Sequence, residues 1–152
     1  MALIPKEIYA LVERKRRSRY AGSSRALFRL QEAQAAAYSL PSPGAGKAPG
    51  KSGPGDRVGR LALAVVEAEE QLRKEQAWES VWQMMDRIFP FEHTMEGMVA
   101  GYLYDNGMTQ KEAGAACHCS REAVCRARDN WVCHAALIAA SDGLVDIREG
   151  TT

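Results

Sequence analysis

The stretch MTQKEAGAACHCSREAVCRA, residues 108–127, decides how the chain is read. Thr109, followed three residues later by Glu112, has the T-x-x-E pattern of a capping box and predicts a short helix over Gln110–Cys117. Ala113, Gly114 and Ala116 are small, so a second helix can cross closely over the first. Residues 117–120 supply a turn, and Ser120 caps a further helix that starts at Arg121. At about 100° per residue, Val124, Ala127 and Trp131 share one face of that helix with Ser120. Glu122, Cys125, Arg126 and Asp129 lie opposite, with Arg121 on the flank.

Two capped helices, a tight turn and an outward Arg/Glu face meet the requirements of a helix that reads a major groove. Arginine can fork onto guanine O6 and N7, and glutamate can accept from cytosine N4. Hydroxyls and free N–H groups at both helix starts can hold phosphates. The candidate DNA-binding set is therefore Thr109, Lys111, Ser120, Arg121, Glu122, Cys125 and Arg126. The bland alternative makes the outward residues plain solvated surface.

Residues 108–127 resemble the C-terminal helix-turn-helix of bacterial sigma factors, and Gly101–Gly107 resembles the helix that leads into it. The wider order adds a long helix, a Gly/Pro-rich loop ending Gly55-Asp56-Arg57-Val58-Gly59, and a long acidic helix. That order resembles phage and prophage sigma-70 region 4-like transcriptional regulators of the RinA/ArpU type. The resemblance implies a transcriptional regulator that binds double-stranded DNA and has RNA polymerase as a candidate partner. In this chain His118 stands where that turn usually carries glycine, so a left-handed backbone there has a steric cost. Ala113 and Cys119 replace larger buried residues and thin the core.

Working outward, residues 93–106 predict a helix with Met95, Met98, Val99, Tyr102 and Leu103 on its buried side, ended by Asn106-Gly107. Before it, a long helix is expected from an Asp56 cap to Phe89, stopped by Pro90. Val58, Leu61, Val65, Ala68 and Leu72 form an a/d seam for a hairpin or dimer contact, and Trp78, Val81, Trp82 and Met85 a broader apolar face. Residues 5–38 predict a first long helix, weakened near Gly22. Pro41, Pro43, Pro49 and Pro54 with five glycines make 39–57 a flexible connector. The expected fold is all-α, a long antiparallel helical hairpin followed by a C-terminal helix-turn-helix unit. Its segments are 1–38, 39–57, 58–90, 91–138 and a tail 139–152.

The net charge of +1 is unevenly spread. Residues 1–38 hold eight basic and three acidic side chains, whereas 91–138 hold four and six. Arg14, Lys15, Arg16, Arg17 and Arg19 are thus the candidate phosphate-binding arm, the alternative being a wet helix face. Cys117, Cys119, Cys125 and Cys133 beside His118 and His134 leave a metal site open, but C-x-C is not zinc-finger spacing. The sequence lacks G-x-x-x-x-G-K-[ST], G-x-S-x-G and H-E-x-x-H, so no enzyme activity and no cofactor is expected. No apolar run approaches membrane-spanning length and no secretion signal opens the sequence, so a cytoplasmic location is expected, which the resemblance implies is that of a bacterial host. A competing reading, from another class, is a protein-interaction adaptor that docks on RNA polymerase through the hairpin and the sigma-like unit.

Overall fold

The computed structural model describes residues 4–39 and 54–148. These residues are all-α: α1 Lys6–Arg17, α2 Arg19–Tyr38, α3 Pro54–Ile88, α4 Met95–Ala100, α5 Gln110–Cys117 and α6 Arg121–Ser141. No strand occurs among them. The connector expected over 39–57 falls largely on residues outside the described set, although α3 begins inside it, at Pro54 rather than after Asp56. Proline suits a first helical position, where its missing N–H costs no helical bond.

The first long helix breaks at Ser18, not near Gly22. Ser18 turns its N–H to the Arg14 and Arg16 carbonyls and its hydroxyl to Arg14 and Lys15 oxygens, and α2 restarts at once. The chain divides into two compact units. Tyr20–Gln76 form one, and Met1–Arg19 with Ala77–Thr152 form the other.

In the second of these, Ile4, Ile8 and Val12 are buried at successive turns of the N-terminal segment, and α1 packs against α6. Val81, Met85, Val99, Val124, Val132 and a run of alanines on α6 complete the core. Aromatic rings stack through it. Trp78 lies 5.5 Å from Trp82, Trp82 is 5.8 Å from Trp131 at 7° between planes, and Tyr104 is 5.2 Å from Trp131. The C-terminal segment joins this core as well. Helix α6 runs on to Ser141, and Val145 beyond it is buried.

The helix expected over 93–106 is two pieces. Thr94 caps α4 by accepting from the Gly97 N–H at 3.0 Å. Gly97 is obligatory there, because a β-carbon would collide with the Phe89 and Pro90 carbonyl groups. After Ala100 the chain widens into a π-helical turn, Gly101–Asp105, with the Asn106 N–H reaching back to the Gly101 carbonyl at 3.0 Å. Such a turn shifts the helical register. Tyr104 is consequently buried, Tyr102 only half so, and Met95 is exposed. The sequence pattern assigns Tyr102 and Met95 to the buried side and gives no sign of Tyr104.

In Tyr20–Gln76, α2 meets α3 around Gly22 and Glu75. Gly22 abuts Glu75, and Ala26, Arg29 and Gln71 line the same crevice. Among the described residues of this unit only Ala26 and Glu75 are buried.

Candidate nucleic-acid interface

Helix α5 starts on a complete capping box. The Thr109 hydroxyl accepts from the Glu112 N–H and the Glu112 carboxylate accepts from the Thr109 N–H, both at 3.2 Å. The helix stops at His118, the one described non-glycine residue with positive φ (56°, ψ 43°). Its left-handed backbone lets the Cys119 N–H turn to the Gly114 carbonyl at 3.0 Å. Two residues later Ser120 accepts from the Ala123 N–H at 3.2 Å and starts α6. Gly114 makes the tight crossing feasible, since a β-carbon there would stand 3.1 Å from the Cys119 carbonyl oxygen. Ala113, Val124, Ala127 and Trp131 close the inner side.

The outer side carries most of the residues singled out in the sequence. Thr109, Lys111, Ser120, Arg121, Glu122 and Arg126 are all exposed, and Cys125 is half-buried. One organising residue had no signal in the pattern. The side-chain oxygen of Gln110 accepts from Arg121 Nε at 3.5 Å and from Cys125 Sγ at 3.4 Å, linking α5 to the first turns of α6. Arg126 borders a shallow groove with Met95, Glu96, Ala123 and Asn130. In that groove the Asn130 amide donates to Glu96 at 3.1 Å.

The basic run of α1 is divided by the fold. Arg14 and Arg17 are exposed and Lys15 is half-buried. Arg16 is turned inward, 4 % exposed, with its guanidinium carbon 5.6 and 5.5 Å from the ring centres of Trp82 and Trp131. It donates to Asp105 at 3.0 Å, while its Nε and Nη1 have no acceptor. Arg19 grips Glu79 at 2.7 Å and Asp86 at 3.3 Å. Five cations that read as one arm are thus two solvent-facing arginines, a half-buried lysine and two structural ion pairs.

Beside them Glu13, also buried, receives Arg128 Nε and Nη2, each at 2.8 Å, and the Tyr104 hydroxyl at 2.7 Å. Burial pushes the Glu13 carboxyl up, but the bonds from Arg128 and Tyr104 outweigh it and hold its pKa below the ordinary value. Burial, then the bond to that carboxylate, pushes the Tyr104 phenol well up, and burial and Asp129 do the same to Tyr9. The Tyr9 hydroxyl donates to Asp129 Oδ1 at 2.6 Å. These contacts bind α1 to the middle of α6, immediately beyond the outward turns that carry Arg121 and Arg126.

The four cysteines are free thiols. Burial pushes the Cys117 thiol up, with Cys119 adding to it. Among the described residues no three His, Cys, Asp or Glu side chains converge as metal ligands. No described helix is long and apolar enough to cross a membrane. No family model, curated protein or solved structure matches the chain.

Proposed function

We propose that the chain is a sequence-specific DNA-binding transcriptional regulator that reads the major groove with the first turns of α6. The observation that carries the reading is the capped α5, the left-handed His118 turn and the capped α6. Together they leave Arg121, Glu122 and Arg126 exposed on a helix whose other face is fixed by Val124, Ala127 and Trp131. Arg121 and Arg126 fit guanine edges, and Glu122 fits a cytosine amine. Thr109, Lys111 and Ser120 stand where phosphates flank such a helix. The likeness of residues 108–127 to sigma-factor helix-turn-helix units supports a phage or prophage regulator acting in a bacterial cytoplasm, with RNA polymerase a candidate partner.

Selection of bound duplexes from a random pool by the full-length protein, at stated salt, tests this. An enriched motif is expected. Arg126→Ala then weakens the selected site by about 1–3 kcal/mol and relaxes one or two of its positions. Failure to enrich any motif at low salt overturns the reading.

A second reading, an adaptor that docks on RNA polymerase or another protein, is favoured by one observation. Arg16, Arg19 and Arg128 are all committed to carboxylates of the chain, which leaves Lys111, Arg121 and Arg126 as the cations of the helix-turn-helix. A partner retained after nuclease treatment, with no enriched DNA motif, is the result that would favour it.

A further inference from the structure

The unit Tyr20–Gln76 holds two long helices with almost no interior of their own. Ala26 is the one fully buried apolar residue among its described residues, and on the α3 seam Leu61, Val65, Ala68 and Leu72 are only half-covered while Val58 is 48 % exposed. Two helices expose more apolar surface than they can cover for each other, so such a pair needs another layer. The unsatisfied surface includes the side of α3 opposite that seam. There Leu63 and Val66 are each 57 % exposed. Gly59, Leu63, Val66, Glu70 and Arg73 recur at alternating spacings of four and three, so they lie along one stripe. Around Gly59 a β-carbon would meet nothing within 4 Å. The stripe is open along its length.

The charges along this stripe say what fits it. We propose that the outward face of α3 pairs with the same face of a second copy of this chain, antiparallel, about a two-fold axis near residue 64. In that register Leu63 meets the second copy's Val66, and Arg60 on the flank stands opposite its Glu67. Asp56 stands opposite Arg73, and Glu70 meets Gly59, whose missing side chain leaves it room. Because the axis is two-fold, each charge pair occurs twice. Glu69 faces Ala62, so no like charges oppose one another. The parallel, in-register alternative stacks Asp56 on Asp56, Glu70 on Glu70 and Arg73 on Arg73, which is repulsive at three levels. The self-complementary order of basic and acidic residues selects a second copy, and selects its direction.

Sedimentation equilibrium of the full-length protein over about 1–200 μM, with circular dichroism to check helix content, tests the pairing. The unaltered protein is expected to be a concentration-dependent dimer. Arg60→Glu alone, and Glu67→Arg alone, should each raise the dimer dissociation constant about tenfold, because like charges then oppose at two places. The double exchange Arg60→Glu/Glu67→Arg should restore dimerisation, since each copy again meets its opposite. Leu63→Asp should abolish it at unchanged helicity. A monomer at every concentration overturns the proposal. So does a dimer that the single exchanges leave intact or that the double exchange fails to restore.

Discussion

Arg128 and Glu13, separated by 115 residues, meet edge to edge, each guanidinium N–H donating to its own carboxylate oxygen at 2.8 Å. The Tyr104 hydroxyl occupies the same carboxylate from the π-helical turn. Three segments remote in sequence therefore converge on one buried acid, and the outward face of α6 is held from behind by that convergence.

Removing Arg128 leaves the Glu13 charge buried with the Tyr104 phenol and, 3.9 Å away, the exposed Arg17 guanidinium. Arg128→Ala should destabilise the protein by about 3 kcal/mol, since a buried charge that loses its two-pronged donor is costly. Urea unfolding measures the loss. The double substitution Arg128→Ala/Glu13→Ala should lose less than the two single losses added together. Simple additivity would show that the pair does not couple.

Acid should act through the same carboxylate. The folded pKa of Glu13 lies below its unfolded value, so its contribution is present above the ordinary carboxylate range of about 4–4.5. That contribution fades as pH falls from there through the lower folded value. Thermal midpoints measured downward from pH 6 should drop more steeply for the unaltered protein than for Glu13→Gln. Parallel curves would remove Glu13 as the source.

Arg14 and Arg17 are the exposed arginines of the basic run, Arg17 with a long 3.9 Å contact to Glu13, so they can lend the arm most of its salt dependence. Arg14→Ala/Arg17→Ala should lower the salt slope of DNA binding by about two units while sequence preference survives. Arg16→Ala should instead lower the thermal midpoint, because it empties the space against Trp82 and Trp131. An unchanged salt slope in the double variant would make the arm a plain solvated face.

His118 is exposed, so its substitution reports on backbone alone. His118→Gly should hold or raise stability by up to about 1 kcal/mol, since glycine tolerates the left-handed region. His118→Val should lose about 1–2 kcal/mol, a branched side chain being the worst fit there. Thermal denaturation distinguishes the two, and equal behaviour would mean that the turn rearranges.

The parts of this fold that were legible in the sequence are those governed by local chemistry. Thr109 with Glu112, and Ser120 three residues before Ala123, mark the starts of α5 and α6 because capping involves only near neighbours. The inner face Val124, Ala127 and Trp131 follows from helical period alone. What stayed hidden depends on distant partners. Arg16 reads as part of a phosphate-binding arm, and Glu13 goes unremarked, because a sequence pattern cannot register Arg128, Asp105 or the indoles that receive them. The widened turn at Gly101–Asp105 has no residue marker, and it moved Tyr104 inward unannounced. The helix break came at Ser18 rather than at the glycine, where intrinsic propensity pointed, because a serine hydroxyl and N–H could serve the carbonyls of the preceding turn.

The unit that carries the candidate reading helix is discontinuous, closed by its first helix and interrupted by Tyr20–Gln76. During synthesis α1 is made first but cannot be completed as structure until α6 exists more than a hundred residues later. Ile8 and Val12 must wait uncovered through that interval. Closure of α1 onto α6 is then a late event. A fragment beginning after residue 76 would lack the strip that seals it, and should collapse into a looser state with exposed tryptophans.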